Sequence, residues 1–553
     1  MIDPVTSPKS ERDRHVFLVG FMAVGKTSVG RLVAEALGKR FIDLDDEIEK
    51  AAAKSIPAIF AEEGEERFRR RETEALDSVI NSAPAVVATG GGAPCHGDNL
   101  IRMRKCGVVV ALTAPLDDIL ARVARERPAA GRPLLDRPES EVRALYDRRI
   151  RFYRQAHACV RTEDDPPSIV ASAVAGLVAI SDMIPDRALA KANIVSLSQR
   201  AYPIIVDPHA MDQLGQLSRT VLSDSCTHIG LVSDTNVAAV HGERARTSLE
   251  QAGFQVAEQV VPAGEATKSF AEYSRLAEAF VTAGLDRRSA IVALGGGMVG
   301  DLAGLVAATL FRGIAFVQMP TSVLAMVDAA IGGKTGINIE AGKNLVGAFW
   351  QPRMVLADTS VLATLPLRQW RAAFGELIKY GLLDSQELYA AVDALAPSMK
   401  SQPEAAMLSE ISDVIQRCAA FKSWVVSRDE REQTGERALL NLGHTVGHAI
   451  EAAAGYGELL HGEAVGLGLV AACRVSARLG LCDPALEARV CETLRRAGLD
   501  ADVDSWLQHD VIERIRVDKK RTGARIRFVT IKEIGECSLT HLALSEIERI
   551  LRG

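Results

Sequence analysis

One octapeptide, Gly20-Phe-Met-Ala-Val-Gly25-Lys26-Thr27, constrains the fold more than any other stretch of the chain, because it fits G-x-x-x-x-G-K-[ST] in the setting that pattern requires. The apolar run HVFLV precedes it and the helical stretch SVGRLVAEAL follows it. A loop passing from a strand into a helix N-terminus presents backbone N–H groups to phosphates. Gly20 and Gly25 let the backbone approach, Lys26 reaches the terminal phosphates, Thr27 offers a hydroxyl to magnesium, and Ser28 completes the nucleotide-binding set. Further strand-like runs, AVVATGGG and VVVALTA, alternate with helical ones, which predicts an α/β domain with a parallel sheet flanked by helices.

At 553 residues the chain is long enough for two to four domains. Hydrophobic residues at 48% and charged residues at 25% exclude a disordered or fibrous protein. A net charge of −6 without a basic tract argues against nucleic-acid or membrane partners. Nine scattered cysteines without a C-x-x-C favour neither a zinc ribbon nor a disulfide framework. With no signal core and no long apolar run, a cytoplasmic location and small-molecule substrates are expected. The pattern predicts a tail over 1–14, an α/β domain over 15–180, a linker over 181–193, a Rossmann-like α/β domain over 194–367 and a mostly helical domain over 368–553.

In the first half, Asp43-Leu-Asp45 follows a short strand and opens a helix, so both carboxylates share a side. They suit a metal's water shell and an acceptor hydroxyl, although an N-capping pair reads the same way. Arg69, Glu72 and Gly90-Gly91-Gly92 add cations and backbone donors, and Arg132 sits in an arginine-rich stretch with Arg125 and Arg127 that suits a lid over phosphates. The blocks GFMAVGKTSVGR, FIDLDDEIE, GEERFRRRE, ATGGG, RPLL and Arg149-x-x-x-Tyr153 together resemble shikimate kinase over about residues 14–180. That resemblance implies ATP with Mg2+, the metal held at Thr27 and Asp43. It implies shikimate bound by Asp45, Arg69, Gly91 and Arg149, and Lys26, Asp45 and Arg132 as catalytic residues. Ala23-Val24 depart from the smaller residues usual there. Another small kinase, such as gluconate kinase, is the alternative, and a carboxylate clamp of Arg69 and Arg149 favours an acid substrate.

The second half opens a new strand–glycine–helix unit at Gly295-Gly296-Gly297-Met-Val-Gly300-Asp301, fit for a pyrophosphate or simply for tight packing. Pro262-Ala-Gly264-Glu265-Ala-Thr-Lys268 offers a carboxylate for ribose hydroxyls. Asp328, Gly332-Gly333-Lys334-Thr335 and Gly342-Lys343-Asn344 then set charged groups inside an apolar stretch, where a lysine is costly unless it meets an anion. Glu376 and Lys379 lie three apart on one helix, His444 and His448 lie four apart on another, and His461 follows. Such a set suggests a divalent metal site, with His444 and His448 as the pair nominated by spacing and His461 as a third ligand. Spacing does not say which histidine is the odd one out.

Residues 194–553 resemble 3-dehydroquinate synthase nearly throughout, on the blocks AYPI, PAGEATK, ALGGGMVGDLAG, FRGIAFVQMPTSVLAMVDAAIGGKTGIN, GKNLVGAFWQP, GELIKYG, RALLNLGHTVGHAIE, HGEAV and VDKK. The resemblance implies zinc, or cobalt in its place, on Glu376, His444 and His461, with His448 in the substrate pocket. It implies NAD against Asp234, Gly264, Glu265, Lys268, Gly296, Gly297, Gly300, Asp301, Thr321, Ser322, Lys334, Lys343 and Thr364. The substrate would meet Arg312, Asp328, Lys334, Lys343, Asn344, Lys379, Lys422, Arg437, Asn441, His448, Lys519 and Lys520, of which Asp328, Lys334, Lys379 and His448 are expected to be catalytic. It further implies cyclisation of 3-deoxy-arabino-heptulosonate 7-phosphate with phosphate release, and a homodimer in which Arg312 reaches a neighbour's site. Departures are Ser322 for threonine, Ala329-Ala330 for serines, and one extra residue between Lys422 and Arg437. The alternatives are a related sugar-phosphate cyclase, a metal-dependent polyol dehydrogenase, or a first half that binds nucleotide without catalysis.

Overall fold

The computed structural model describes residues 14–125, 138–163, 165–197, 200–402, 404–455, 458–507, 511, 514–515 and 525–552. The 1–13 segment, the Arg125 side chain, Arg127, Arg132, Lys519 and Lys520 lie outside the described residues. The chain divides into two compact units, residues 1–205 and 206–553.

In the first unit, five parallel strands run β1 (His15–Val19), β2 (Arg40–Asp43), β3 (Ala85–Ala88), β4 (Gly107–Thr113) and β5 (Ala158–Arg161), in the spatial order β2-β3-β1-β4-β5. Every residue of β1, β3 and β4 is buried. That explains why these strands read as continuous apolar runs, as a sheet covered on both faces requires. Because β1 is central, its C-terminal loop enters helix Lys26–Leu37 in the middle of the sheet's carboxyl edge, where ligands of open α/β sheets bind.

The 181–193 stretch, expected as a linker, is built structure. Helix Pro167–Asp182 and helix Asp186–Leu189 lead into a hairpin of β6 (Ala192–Ser196) and β7 (Ala201–Val206). Two buried groups explain the order. The Arg104 guanidinium, 6% exposed, donates to the carbonyls of Gln155 at 2.6 Å, Ala190 at 2.8 Å and Ala192 at 2.8 Å. His157 Nδ1 accepts from the Val109 amide, and its Nε2 lies 3.0 Å from the Leu189 carbonyl. With no carboxylate beside it among the described residues, burial alone pulls the Arg104 pKa down to about 9.

In the second unit, β8 (His228–Asp234), β9 (Gln255–Val261), β10 (Ala290–Gly295), β11 (Ala315–Pro320) and β14 (Met354–Ala357) form parallel pairs in the order β14-β11-β10-β8-β9. Between β11 and β14 comes an antiparallel hairpin, β12 (Lys334–Ile339) and β13 (Gly342–Phe349). From Leu367 onward helices dominate, as expected, with one difference. The run Arg525–Glu533 pairs with Glu536–Ala543 as an antiparallel hairpin, β15 and β16. The alternation in RIRFVTI, with Ile526 and Phe528 buried and Arg525 and Arg527 exposed, is a strand period inside an otherwise helical region.

Two helix contacts set up the metal candidates. Helix Leu367–Asp384 and helix His461–Arg478 cross with Gly375 against Gly462; a Cβ on either would collide with backbone of the other helix. That approach puts Glu376, the next residue, beside His461. Helix His444–Ala454 packs on the same partner and brings in His444 and His448.

Candidate active sites

The first site lies at the carboxyl edge of the first sheet. Lys26 Nζ donates to the carbonyls of Gly20 and Phe21, both at 2.9 Å, so the ammonium is held inside the loop. Thr27 Oγ1 donates to Asp43 Oδ2 at 2.8 Å, joining the two residues expected at magnesium. Asp43 does also cap a helix, accepting from the Asp45 amide at 3.2 Å, so the capping and functional readings of Asp43-Leu-Asp45 hold together. Asp45 is pushed up to about 6, first by burial and then by the neighbouring charges of Asp43 and Glu72.

The triple glycine explains how four charged side chains converge there. A Cβ on Gly90 would lie 2.5 Å from Glu72 Oε1 and 2.9 Å from Asp45 Oδ1. One on Gly91 would sit 3.3 Å from Arg149 Nη1, and one on Gly92 would strike the Arg69 guanidinium. Arg149 is buried, and Arg69 pairs with the fully buried Glu72 at 2.8 Å. Tyr153, whose hydroxyl donates to the Gly91 carbonyl at 2.6 Å, fixes that turn from below. Ser28 is exposed in the first turn of the loop helix. Glu72 has a larger part than its place in the sequence suggested: it orients Arg69 while its second oxygen, buried against Gly90, has no hydrogen-bond partner among the described residues.

The second site lies in the second unit and forms one network of alternating charge. Glu376, fully buried, places Oε1 3.3 Å from His444 Nε2 and 3.4 Å from His461 Nε2, and Oε2 2.5 Å from Lys379 Nζ. Glu376 and Asp328 outweigh burial and raise the Lys379 pKa. Asp328 accepts from Lys422 Nζ at 2.6 Å and from the Tyr380 hydroxyl at 3.0 Å. Burial, only partly offset by Asp328 and aided by Arg437, brings Lys422 down to about 8. Arg437 donates to the carbonyls of Glu430 and Gly332, while Glu432 pairs with both Arg437 and Lys334.

The histidine geometry tests whether these residues suit a metal. The His444 Nδ1 lies 3.1 Å from the Leu442 carbonyl, and the His461 Nδ1 lies 3.1 Å from Glu451 Oε2. Both Nδ1 atoms therefore carry hydrogen, and both Nε2 atoms face the same buried Glu376 oxygen. One carboxylate with two imidazoles turned toward the same point is a fitting donor set for zinc or cobalt. His448 stands in the same recess; its coordinating nitrogen lies within 4.8 Å of those of the other two histidines. His448 is exposed, yet the surrounding protein and the neighbouring imidazoles push its pKa down to about 3. No carbonyl or carboxylate holds the far side of its ring among the described residues. The structure thus brings all four candidates together.

Residues expected at NAD line the first part of this unit. Lys268, 3% exposed, reaches Asp301 Oδ2 at 2.7 Å and the side-chain oxygen of Asn344. Asn338 bridges Glu265 and the Asn344 amide. Gly296 caps the helix starting at Gly297, with Ser322 Oγ 3.7 Å from where its Cβ would be, and the Thr321 amide bonds the Gly295 carbonyl. Gly264 takes a φ of 116°, and Gly300 packs on Gln318. Asp234 caps the turn after β8, and Thr364 hydrogen-bonds His241 at 2.8 Å. Asn441 is exposed just before His444. Arg312 is exposed in a left-handed turn, and no contact ties it to the network among the described residues. Sequence reasoning missed Glu451, which pairs with Lys343 at 2.8 Å, and Tyr380; the i, i+7 spacing from His444 was the available signal for the former.

The comparisons with known proteins agree with this division. Residues 22–178 match the shikimate kinase family, residues 258–372 the 3-dehydroquinate synthase N-terminal family and residues 373–521 the 3-dehydroquinate synthase C-terminal family. The chain is 40% identical over 360 residues to a 3-dehydroquinate synthase of Caldanaerobacter subterraneus, covering 65% of this chain and 99% of that one. Among solved structures it is similar to a 2-deoxy-scyllo-inosose synthase complexed with carbaglucose-6-phosphate, NAD+ and Co2+, at 26% identity, TM-score 0.58, and 65% and 99% coverage of the two chains. It is also similar to the 2-epi-5-epi-valiolone synthase of Streptomyces hygroscopicus with NAD+ and Zn2+ bound, at 26% identity, TM-score 0.56, and 63% and 95% coverage. No helix among the described residues is long and apolar enough to cross a membrane. The protein belongs to the 3-dehydroquinate synthase family and carries a shikimate kinase ahead of that enzyme, so that two activities of the shikimate pathway share one polypeptide.

Proposed function

We propose that the two sites work independently, each with the residues assembled above. In the kinase, Thr27 and Asp43 hold Mg2+ of bound ATP, Lys26 neutralises charge on the transferred phosphoryl group, and Arg69 and Arg149 grip the shikimate carboxylate. Asp45 accepts the proton of the attacking hydroxyl. In the synthase, Glu376, His444 and His461 hold zinc or cobalt, and Lys268, Asp301 and the Gly296–Gly297 turn hold NAD. When bound, the metal supplies Lewis acidity and NAD a reversible hydride sink. Lys334, Lys343, Lys379, Lys422, Arg437, Asn441 and His448 hold the phosphate and carboxylate of the sugar acid, and Asp328 and Tyr380 keep Lys422 aimed. A homodimer through the synthase, with Arg312 completing a neighbour's pocket, fits its exposed turn. A cytoplasmic location fits both chemistries.

The observation that carries this reading is the pair of imidazole nitrogens aimed at one buried carboxylate oxygen. It is tested by assaying both reactions on the full chain before and after treatment with a strong zinc chelator, magnesium then being restored. Cyclisation is expected to disappear and return with added zinc or cobalt, while phosphorylation persists throughout. Cyclisation that survives removal of all bound metal would refute the metal assignment.

The kinase has a pH signature of its own. Burial raises the Asp45 carboxyl, so it is protonated below about 6 and becomes a base above it. The kcat/KM for shikimate should therefore rise with pH through a midpoint near 6. A profile flat between about pH 5 and 7 would remove Asp45 from the role of base.

A further inference from the structure

Glu451 touches both a metal-binding histidine and an anion-binding lysine. It lies seven residues after His444 on helix His444–Ala454, two turns along the same face. Its Oε2 is 3.1 Å from His461 Nδ1, and its Oε1 accepts from Lys343 Nζ, on β13, at 2.8 Å. We propose that Glu451 is a positioning residue that sets the metal affinity of the synthase site and ties the β12–β13 hairpin to it; this rests on the ligand set proposed above. A carboxylate only accepts hydrogen bonds, so it holds a hydrogen on Nδ1 and leaves Nε2, which faces Glu376, as the nitrogen that can bind a metal. His444 gets the same orientation from the neutral Leu442 carbonyl. The two imidazoles therefore differ: the one backed by a full negative charge is the stronger donor, and its partner carboxylate tunes how tightly a cation is held. Because the other oxygen grips Lys343, the carboxylate that tunes the metal also fixes a lysine from the hairpin carrying Lys334 and Asn344. A carboxylate that served only packing would affect neither.

The test uses the full-length protein stripped of metal, with Zn2+ affinity read by competition with a chromophoric chelator and the site environment read from the Co2+ absorption spectrum. Glu451→Gln keeps the size and an accepting oxygen but removes the charge, and a parent-like denaturation transition of the synthase unit reports that it has folded. It is expected to weaken Zn2+ binding about 10- to 100-fold and to shift the cobalt bands. His461→Ala, run beside it, should lose the metal altogether. If His461→Ala loses the metal but Glu451→Gln keeps native affinity and an unshifted cobalt spectrum, the proposal is wrong and the ligand set stands. If His461→Ala keeps native affinity, the ligand set itself is wrong and the proposal falls with it.

Discussion

Replacing Lys26 by alanine should lower phosphorylation of shikimate by about 10³-fold or more and leave cyclisation by the same chain unchanged. The size follows from the position of the ammonium. It is held by two loop carbonyls at 2.9 Å, beside the helix N-terminus that receives the phosphates, so its charge is in place before the reaction begins. Removing one preorganised donor from such a site costs about 10²–10³ in rate, and a full positive charge on a transferring phosphoryl group adds to that. Both rates are measured on one preparation, so the synthase serves as an internal control for the amount of intact chain. Retention of phosphorylation within tenfold would mean that the loop only binds nucleotide, reviving the reading of the first half as a non-catalytic module.

The opposite selectivity is expected of Glu376→Gln. Cyclisation should fall at least about 10³-fold, with bound zinc lost and phosphorylation intact. The substitution strips the candidate metal site of its only carboxylate contact to both histidines, and it leaves Lys379, 1% exposed, without its 2.5 Å partner. Breaking a buried pair from one side destabilises by about 3–5 kcal/mol, so the synthase unit should also unfold at lower denaturant concentration. Metal content and both activities separate the two effects. A Glu376→Gln protein that binds zinc as tightly as the parent would hand the ligand role to His448.

What the sequence made legible depended on how local each signal was. The phosphate loop was complete in eight residues with its strand and helix on either side, and the parallel sheets announced themselves through strands buried on both faces. The metal set was different. His444 and His448 share a helix, so periodicity selected them, whereas Glu376 and His461 meet only because Gly375 and Gly462 let two distant helices touch. No local pattern encodes that approach; the residue pattern nominated His461 only as a third candidate, and the resemblance chose the set. Glu451 escaped notice for the same reason, since its partners Lys343 and His461 come from a hairpin and another helix. The β15–β16 hairpin was hidden by its helical surroundings although its own alternation was clear.

The buried Arg104 has a practical consequence for anyone separating the two enzymes. A kinase fragment ended at residue 180 would leave its guanidinium facing the space vacated by Ala190 and Ala192, with only the Gln155 carbonyl remaining. The excisable phosphotransferase therefore extends past Ala192, and a cleavage site for dissection belongs beyond that residue.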